Sequence, residues 1–544
     1  MAKILFIQED EWPKLGIMYL SGTLKKHGHE VDIVVGSEFE EIEPCLRSFQ
    51  PDVVGFSIMT GDHHWGASIA CKIKAQFDVV TLFGGPHVTF FPDFIHEKYV
   101  DAIIRGDGEL ACLAFMDYID GKENRSQIKN LWYKKGEEVF ENEMGELEDI
   151  NSVPFPDRSL YQKYEDRMDF SVLYMLTTRG CPYKCTFCFE EELQNIYKGL
   201  GQYVRVRTPE NIFAEIKECI SQGVSFEHVM FLDDVFGINK VWLYDFLEKY
   251  KKEIDLPYIC LVRADLVHKG DDYAQRLADA GCVTVAFGIE SGTENLRQLS
   301  LQKQLTDQQI VEATRELHAA GIKIKTYNLF GFPGETIEDA FSTVEINMKI
   351  RADFPQSNLF IPFPKTGLAE YAMENGYLKK DFDVDDIRND TFIHSILKSP
   401  YSREFERINK FFQTAVWFPF LWPLIKKYCV SKIHHPALQR LEDLWFSFIY
   451  FLIYWRSSKR SVFKLIPYGI KNLRKFIGLK AISSPGDSRR RVRKMTDLEE
   501  ESLGHRTLRR KKWLKRVQDI DTVRRDNAEK DSESMDQVLK AVEY

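Results

Sequence analysis

The chain has 544 residues, of which 44% are hydrophobic and 13% aromatic, enough for more than two domains with large buried cores. Its formal net charge of -9 argues against nucleic acid as the main partner, because nucleic-acid-binding domains are usually basic. Only three of the ten cysteines lie close together, and the N-terminal residues lack the features of a signal peptide. We therefore expect free thiols and a reducing cytoplasm.

Short apolar strands alternate with helices in the N-terminal part of the chain. The predicted strands are Lys3–Ile7, Val31–Val35, Asp52–Ser57, Val79–Phe83 and Asp101–Arg105. This alternation is typical of a doubly wound, Rossmann-like parallel sheet in an α/β protein. In such a sheet the ligand lies beyond the carboxyl ends of the strands.

Glycine and small polar residues are concentrated where these strands end. A single glycine pair would be explained by a strand-to-helix turn. The whole run favours a binding site, since glycines let the backbone approach a large flat ligand closely. The candidate ligand-binding residues at this edge are Leu15, Gly16, Ser57, Thr60, Gly84, Gly85, His87, Thr89, Gly106 and Glu109.

Three cysteines follow a predicted strand that ends near Thr178. Cys181, Cys185 and Cys188 have Cys-x3-Cys-x2-Cys spacing, so one tight loop can bring three thiolates to one metal centre. A [4Fe–4S] cluster takes four ligands, and three from the protein leave one iron open for a small molecule. A structural zinc site would need a fourth Cys or His nearby. The next such residue is Cys219, which lies far downstream inside a predicted helix.

Five further strands alternate with helices after the cysteine loop. They are predicted at His228–Leu232, Tyr258–Val262, Val283–Phe287, Lys323–Phe330 and Gln356–Phe360. Each ends in polar or glycine-rich residues. Six strands in this order predict a partial (β/α)6 barrel, open in comparison with the eight-stranded TIM barrel, with its active site at the carboxyl ends of the strands.

These motifs resemble those of a known family. The cysteine spacing, its loop and the aromatic residue before the third cysteine are similar to those of the radical S-adenosylmethionine enzymes. The Gly84-Gly85-x-His87-x-Thr89 pattern looks like the cobalamin-binding domain that precedes the radical domain in one large subclass. The chain therefore resembles a cobalamin-dependent radical S-adenosylmethionine enzyme over about residues 1–375.

The resemblance implies an organisation into domains. Residues 1–140 would form the cobalamin-binding domain and residues 171–375 the radical barrel. Between them, residues 141–170 are acidic and then proline-containing, which predicts a linker. Residues 376–482 are expected to form a helical cap over the barrel mouth, and residues 483–544 a charged, flexible tail without a catalytic role.

The resemblance also implies roles for residues at the barrel mouth. Cys181, Cys185 and Cys188 would hold the cluster. Asp233 or Asp234 would receive the amine of S-adenosylmethionine, and Arg263 would meet its carboxylate or ribose. The other implied contacts are Glu290 and Ser291 for the ribose or amine, and Phe187, Gly331 and Phe332 for the adenine. As structural alternatives, the aspartates could cap a helix and Glu290 could belong to a salt bridge.

Two positions depart from the commoner family patterns. Residues 62–66 look like the cobalt-ligating Asp-x-His-x-x-Gly motif of other corrinoid proteins, but the spacing differs, so no cobalt ligand is assigned. His87 is the best candidate for a corrin contact. Lys365 stands where a glycine often precedes threonine, and its side chain could meet an acidic substrate group or, as we favour, point to water.

The C-terminal region contains two strongly apolar segments, Phe411–Leu424 and Trp445–Trp455. Both are shorter than the roughly 20 residues that a membrane span needs. We expect helices that pack over the barrel mouth. The alternative is a face that rests on a membrane surface, because basic residues follow Trp455.

The implied reaction is methylation of an unactivated carbon by means of a 5′-deoxyadenosyl radical and methylcobalamin. The implied partners are a small-molecule substrate, for which the apolar C-terminal region suggests an apolar or aromatic character, and an electron donor such as flavodoxin or ferredoxin. Three alternatives remain: an oxidative cyclase of the same architecture, a non-enzymatic cobalamin-binding or light-sensing protein, and a methylthiotransferase. The last would carry extra cluster cysteines, whereas Cys45, Cys71 and Cys112 lie on separate elements.

Overall fold

The computed structural model describes residues 1–122, 127–168, 170–268, 270–387, 394–433 and 435–458. The first of its two large sheets has the strand order β2-β1-β3-β4-β5-β6-β7. The strands are β1 (Lys3–Gln8), β2 (Glu30–Val35), β3 (Val53–Ser57), β4 (Val80–Gly84), β5 (Ala102–Ile104), β6 (Leu131–Lys135) and β7 (Glu138–Glu141). The first five pair in parallel, which confirms the predicted doubly wound sheet.

The hairpin of β6 and β7 joins the edge of this sheet in antiparallel orientation. The sequence analysis did not predict it, because its strands are short and rich in charged residues. It ends at Glu141, where the predicted linker begins.

Helices cover both faces of the first sheet. They are α1 (Leu15–Lys26), α2 (Phe39–Phe49), α3 (His63–Lys74), α4 (Pro86–Phe90) and α5 (Glu109–Ile119). Side chains of β1 alternate between the two resulting cores: Ile4 and Phe6 pack in one, and Leu5 and Ile7 in the other. The glycine-rich strand ends are thereby held at one edge between two filled layers.

The second sheet has the order β15-β14-β13-β12-β11-β8, and all its pairs are parallel. Its strands are β8 (Val172–Met175), β11 (His228–Phe231), β12 (Tyr258–Leu261), β13 (Cys282–Glu290), β14 (Lys323–Phe330) and β15 (Phe354–Leu359). A small hairpin of β9 (Thr178–Arg179) and β10 (Arg205–Val206) flanks the cysteine loop. This arrangement confirms the predicted six-stranded partial barrel.

The helices of the barrel are α6 (Glu190–Ile196), α7 (Pro209–Ser221), α8 (Lys240–Glu253), α9 (Tyr273–Asp279), α10 (Asp307–Ala319), α11 (Ile337–Lys349) and α12 (Gly367–Glu374). Three helices follow: α13 (Ser402–Trp417), α14 (Trp422–Cys429) and α15 (Pro436–Ser458). The predicted continuous segment Phe411–Leu424 is interrupted after Trp417, because Pro419 begins the turn that leads to α14 and Pro423 lies in the first turn of α14.

The first of these C-terminal helices, α13, does not lie over the barrel mouth. α13 packs on the outer face of β14 and β15, where Phe330 contacts Phe412 and Ser357 donates to Asn409 at 2.8 Å. The strand ends are covered by the described residues between α12 and α13, which contribute Leu378, Phe382 and Leu397 to a core around Phe332. Among the residues that the structure describes, none of the helices has the length and apolar character that a membrane span requires.

Candidate active site

Asp233 fixes the entrance of the cysteine loop. Its Oδ1 accepts hydrogen bonds from the backbone N–H and hydroxyl of Thr177, at 2.8 and 2.9 Å, and from the same two groups of Thr178. The carboxylate is fully buried, and this burial raises its pKa to about 6. Its other oxygen, Oδ2, has no hydrogen-bond partner among the described residues, so the call that Asp233 or Asp234 receives the amine of a ligand stays a prediction. Asp234, in contrast, is exposed.

The cysteine loop is docked onto two other parts of the barrel. Thr186 donates from its amide to Leu301 O at 3.1 Å and from its hydroxyl to Ser300 O at 2.7 Å, and its carbonyl accepts from Leu368 N at 2.9 Å. Gly180 has φ of +89°, and a Cβ there would lie 2.7 Å from Tyr203 O. The loop thus has a defined path that requires glycine at its start.

The three cysteines are free thiols on this loop. Burial raises the pKa of Cys181 and Cys188 to about 12, so both thiols stay protonated until a metal displaces the protons. Cys219 lies in α7, apart from the loop, and adds no fourth ligand. Three thiols on one docked loop fit a [4Fe–4S] cluster with one open iron.

Glu190, at the start of α6, supports the loop and was missed by the sequence analysis. Its Oε2 accepts from Cys181 N at 2.7 Å and from Tyr203 Oη at 2.9 Å. Burial and the nearby charge of Asp234 raise its pKa to about 7. Gln194 of the same helix donates to Cys181 O at 2.8 Å. The sequence signal for Glu190 and Gln194 is their spacing of four residues, one helical turn, directly after the cysteines.

Arg263 binds the middle of the cysteine loop. Its guanidinium carbon lies 3.7 Å from the centroid of the Tyr183 ring, and Asp265 accepts from its Nε and Nη2 at 3.0 and 3.1 Å. Burial raises the pKa of Cys185, and the positive charges of Lys303 and Arg263 oppose this rise. Arg263 and Lys303 therefore both lie beside Cys185.

Glu290 and Lys303 form a buried ion pair, with Nζ and Oε1 2.8 Å apart. Glu290 has φ of 67°, in the left-handed region, where the pairing of β13 with β14 becomes irregular. A Cβ at Gly288 would lie 1.9 Å from Glu290 Oε1 and 2.7 Å from Lys303 Nζ, so this pair requires glycine there. Lys303 was not predicted, because it follows the strand end by 13 residues and a π-helical turn.

The remaining predicted residues of the barrel mouth are held by backbone contacts. Ser291 is buried, and its carbonyl accepts from Arg297 Nη1 at 2.7 Å. The amides of Gly331 and Phe332 donate to Glu335 Oε2 at 2.5 and 2.9 Å. The Phe187 and Phe332 rings meet edge to face with centroids 6.4 Å apart, so the structure brings together the two predicted aromatic contacts.

A cavity of about 260 Å³ lies at the carboxyl edge of the first sheet. Its lining includes six of the predicted residues: Gly16, Ser57, Gly84, Gly85, Gly106 and Glu109. A Cβ at Gly84 would meet nothing closer than 3.9 Å, which shows open space above this strand end. An apolar, glycine-lined floor of this kind fits the close approach of a large ligand such as cobalamin.

The other four predicted residues are not among those that line this cavity. His87 is buried, its ring stacks on His63 with centroids 4.1 Å apart, and its Nδ1 lies 3.2 Å from Thr60 Oγ1. Burial lowers the pKa of His87 to about 3, so the ring is neutral. Thr89 accepts from Gly106 N at 2.9 Å, and Leu15 packs against the core. These residues support the edge, and the corrin contact expected for His87 stays a prediction.

The cavity and the cysteine loop belong to one continuous site. Leu176 and Arg179, which lead into the cysteine loop, line the cavity as well. Nearby, the ring of Phe90 stacks on Phe189 of the loop with centroids 4.2 Å apart. Lys365 donates to Phe90 O at 2.5 Å, so its ammonium bridges the two halves, while the residue as a whole stays exposed.

Comparisons with known proteins agree with this architecture. The family model of the B12 binding domain matches residues 8–116, and that of the radical SAM superfamily matches residues 175–345. An uncharacterized methyltransferase of Pyrococcus horikoshii is 30% identical over 380 residues, 67% of this chain and 80% of that protein. The anaerobic magnesium-protoporphyrin IX monomethyl ester cyclase of Cereibacter sphaeroides is 25% identical over 410 residues, 71% of this chain and 64% of the cyclase.

Solved structures share the fold. The radical S-adenosylmethionine methyltransferase TsrM of Kitasatospora setae has a TM-score of 0.57 at 17% identity, over 69% of this chain and 75% of that chain. The cobalamin-dependent S-adenosylmethionine radical enzyme OxsB has a TM-score of 0.56 at 16% identity, over 94% and 72%. The protein belongs to the radical SAM superfamily. Within it, the chain is one of the enzymes that carry a B12-binding domain before the radical domain.

Proposed function

We propose that the protein is a cobalamin-dependent radical S-adenosylmethionine methyltransferase that methylates an unactivated carbon of a small molecule. The observation that carries this proposal is the position of Arg179. It stands two residues before Cys181, lines the cavity of the first sheet, and pairs with Glu109 of that cavity at 2.5 Å. One substrate can therefore reach both cofactor sites.

The cofactors supply the difficult chemistry when bound: the reduced cluster cleaves S-adenosylmethionine to give a carbon-centred radical, and cobalamin carries the methyl group. The protein positions them and excludes water. We propose that residues 1–140 hold cobalamin and that residues 171–375 hold the cluster and S-adenosylmethionine.

Within the barrel, the charged groups beside Cys185 suit the two ends of the amino acid part of S-adenosylmethionine. We assign its carboxylate to Lys303, its amine to Asp234, which is exposed, and a ribose hydroxyl to Glu290. Arg263 is a positioning residue, because Tyr183 and Asp265 already occupy its guanidinium. Phe187 and Phe332 would border the adenine.

We also propose where the enzyme works and what it contacts. A reducing cytoplasm with a flavodoxin or ferredoxin as electron donor suits an oxygen-sensitive cluster. Phe420 and Leu424 are 75% and 69% exposed beside the exposed Lys427 and Lys432, which favours peripheral contact with an anionic membrane. Sedimentation with vesicles containing phosphatidylglycerol tests this contact: Phe420→Asp should reduce binding, and equal binding by the variant would refute it.

The relatives named as cyclases make ring formation the second candidate. Methyl transfer and cyclisation use the same motifs, so the products must separate them. A methyltransferase converts S-adenosylmethionine to S-adenosylhomocysteine as well as to 5′-deoxyadenosine and methionine. A cyclase gives only 5′-deoxyadenosine and methionine.

A further inference from the structure

Lys325 lies on β14 with its side chain inside the barrel. On this strand, Thr326 donates to α11 at 2.6 Å and Phe330 packs on α13, so the even-numbered residues face the outer helices. Because side chains alternate along a strand, Lys325 and Tyr327 face the interior. In agreement, Lys325 Nζ lies 5.2 Å from the centroid of the Tyr327 ring.

Among the described residues, this lysine has no acidic partner. None of the ion pairs among the described residues includes Lys325. Burial lowers its pKa, and no carboxylate charge counteracts this effect. Charged groups inside proteins are normally paired, because leaving water is costly for them. An unpaired ammonium at this position therefore indicates a partner that comes from outside the chain.

Polar groups on the neighbouring strand accompany Lys325. On β15, Ser357 donates to Asn409 of α13, so Gln356 and Asn358 face the interior. The strand register places Gln356 beside Tyr327. All of these inner side chains are only half-buried.

The strand on the other side of β14 has small residues beside Lys325, and the Glu290–Lys303 pair lies over Gly288 of this strand. There β13 places Ala286 opposite Lys325 and Gly288 opposite Tyr327. Further round, the half-buried Met230 and Ile259 are apolar. The outward neighbours of these two residues pack in the outer core, so their own side chains face inward. The chamber thus has an apolar wall, a small-residue wall and one cationic strip.

We propose that Lys325 binds an anionic group of the substrate, a carboxylate or a phosphate, while an apolar body extends from it toward the cysteine loop. Lys325 lies five positions before Phe330 at the end of β14, a distance of roughly 16 Å along the strand. The substrate class is therefore an elongated amphiphilic acid. The inference depends on the proposed function in one respect, because that function places the reacting carbon of the substrate at the strand ends.

Equilibrium dialysis of the anaerobically reconstituted holoenzyme with S-adenosylmethionine tests the site. The probes are decanoate, decyl phosphate and decanol, which share the chain and differ in the head group. We expect the wild type to bind one or both anions at least tenfold more tightly than decanol, and the preferred anion identifies the head group. Lys325→Met should remove this preference, and Lys325→Arg should retain it.

Lys323→Met is the matched control, because Lys323 lies two residues earlier on the same strand with its side chain exposed. It should bind all three probes like the wild type. Lys325→Met should melt at or above the wild-type temperature, since it removes an unpaired charge. If it does not fold, Lys325→Gln takes its place.

Equal binding of anions and decanol by the wild type, or an unchanged preference in the Lys325 variants, would overturn the proposal. Methyl transfer is measured separately on the same preparations. An enzyme that keeps the Lys325-dependent preference but transfers no methyl group would refute the proposed function and leave the anion site standing.

Discussion

Arg179 and Glu109 form an ion pair with Nη2 and Oε1 2.5 Å apart, and this pair joins the cysteine loop to the edge of the first sheet. Arg205 makes a second connection to the same edge through Asp107 at 2.5 Å. Both arginines lie on the small β9–β10 hairpin that frames the cysteine loop. The hairpin therefore fixes the position of the cluster loop relative to the cavity.

The two adjacent aspartates after β11 should behave differently when mutated. Asp233→Ala leaves the amides of Thr177 and Thr178 without their acceptor, so we expect a loss of stability of about 3 kcal/mol and poor cluster assembly. Asp234→Ala should retain the fold and the cluster but bind S-adenosylmethionine at least fivefold more weakly. Thermal unfolding, iron content and ligand titration check these outcomes. Equal effects of the two substitutions would contradict the assignment.

Gly288 is expected to be essential for the ion pair beside Cys185. Gly288→Ala places a Cβ where Glu290 Oε1 now lies and must displace the pair with Lys303. We expect at least a tenfold loss of affinity for S-adenosylmethionine, similar to the loss in Lys303→Met. The control is Gly367→Ala, whose Cβ would make an ordinary contact of 3.8 Å with Thr186. Full affinity in Gly288→Ala would show that the ion pair does not bind the ligand.

Two substitutions at the proposed cobalamin site compare a residue that lines the cavity with a residue that was predicted from the sequence but does not line it. Gly84→Leu fills the open space above its strand end, so it should weaken hydroxocobalamin binding at least tenfold with little change in melting temperature. Thr60→Val should bind normally, because Thr60 contacts His87 and is not part of the cavity lining. The measurement is a titration followed by corrinoid absorbance. Normal binding by Gly84→Leu, or weak binding by Thr60→Val, would contradict the cavity as the corrinoid site.

His87 should make the free energy of unfolding depend on pH. Burial lowers its pKa from 6.5 to about 3, so the unfolded chain binds the extra proton between these values. The stabilisation that comes from keeping His87 neutral is fully present above pH 6.5 and is lost progressively as the pH falls toward 3. The loss amounts to about 2 kcal/mol at pH 5. Urea unfolding at pH 7 and pH 5 should show a smaller loss in His87→Gln than in the wild type. The same loss in both proteins would show that His87 is protonated in the folded state.

The sequence predicted those features that depend on local spacing. The three cysteines and the parallel strands of both sheets follow from residue spacing and from alternating elements. It did not predict which strand-end residues face a cavity. Thr60 and His87 lie in the expected edge motif, but the short helix α4 turns His87 inward onto His63.

Long-range contacts were also beyond the sequence. Lys303 reaches Glu290 only because a π-helical turn brings the chain back to the strand end. Lys365 reaches the carbonyl of Phe90 in α4, and no spacing within its own motif indicates this contact. The position of α13 on the outer face of β14 follows from complementary packing surfaces rather than from its own amphipathic pattern.

The most direct test of the central claim follows the methyl group without knowledge of the substrate. The enzyme is reconstituted anaerobically with iron, sulfide and hydroxocobalamin, reduced, and given S-adenosylmethionine with a labelled methyl group. We predict that the protein binds corrinoid and cluster together and yields labelled methylcobalamin and S-adenosylhomocysteine. A Cys185→Ala variant should lose the cluster but still bind the corrinoid. A wild-type protein that binds no corrinoid, or that forms only 5′-deoxyadenosine and methionine, would contradict the assignment as a methyltransferase.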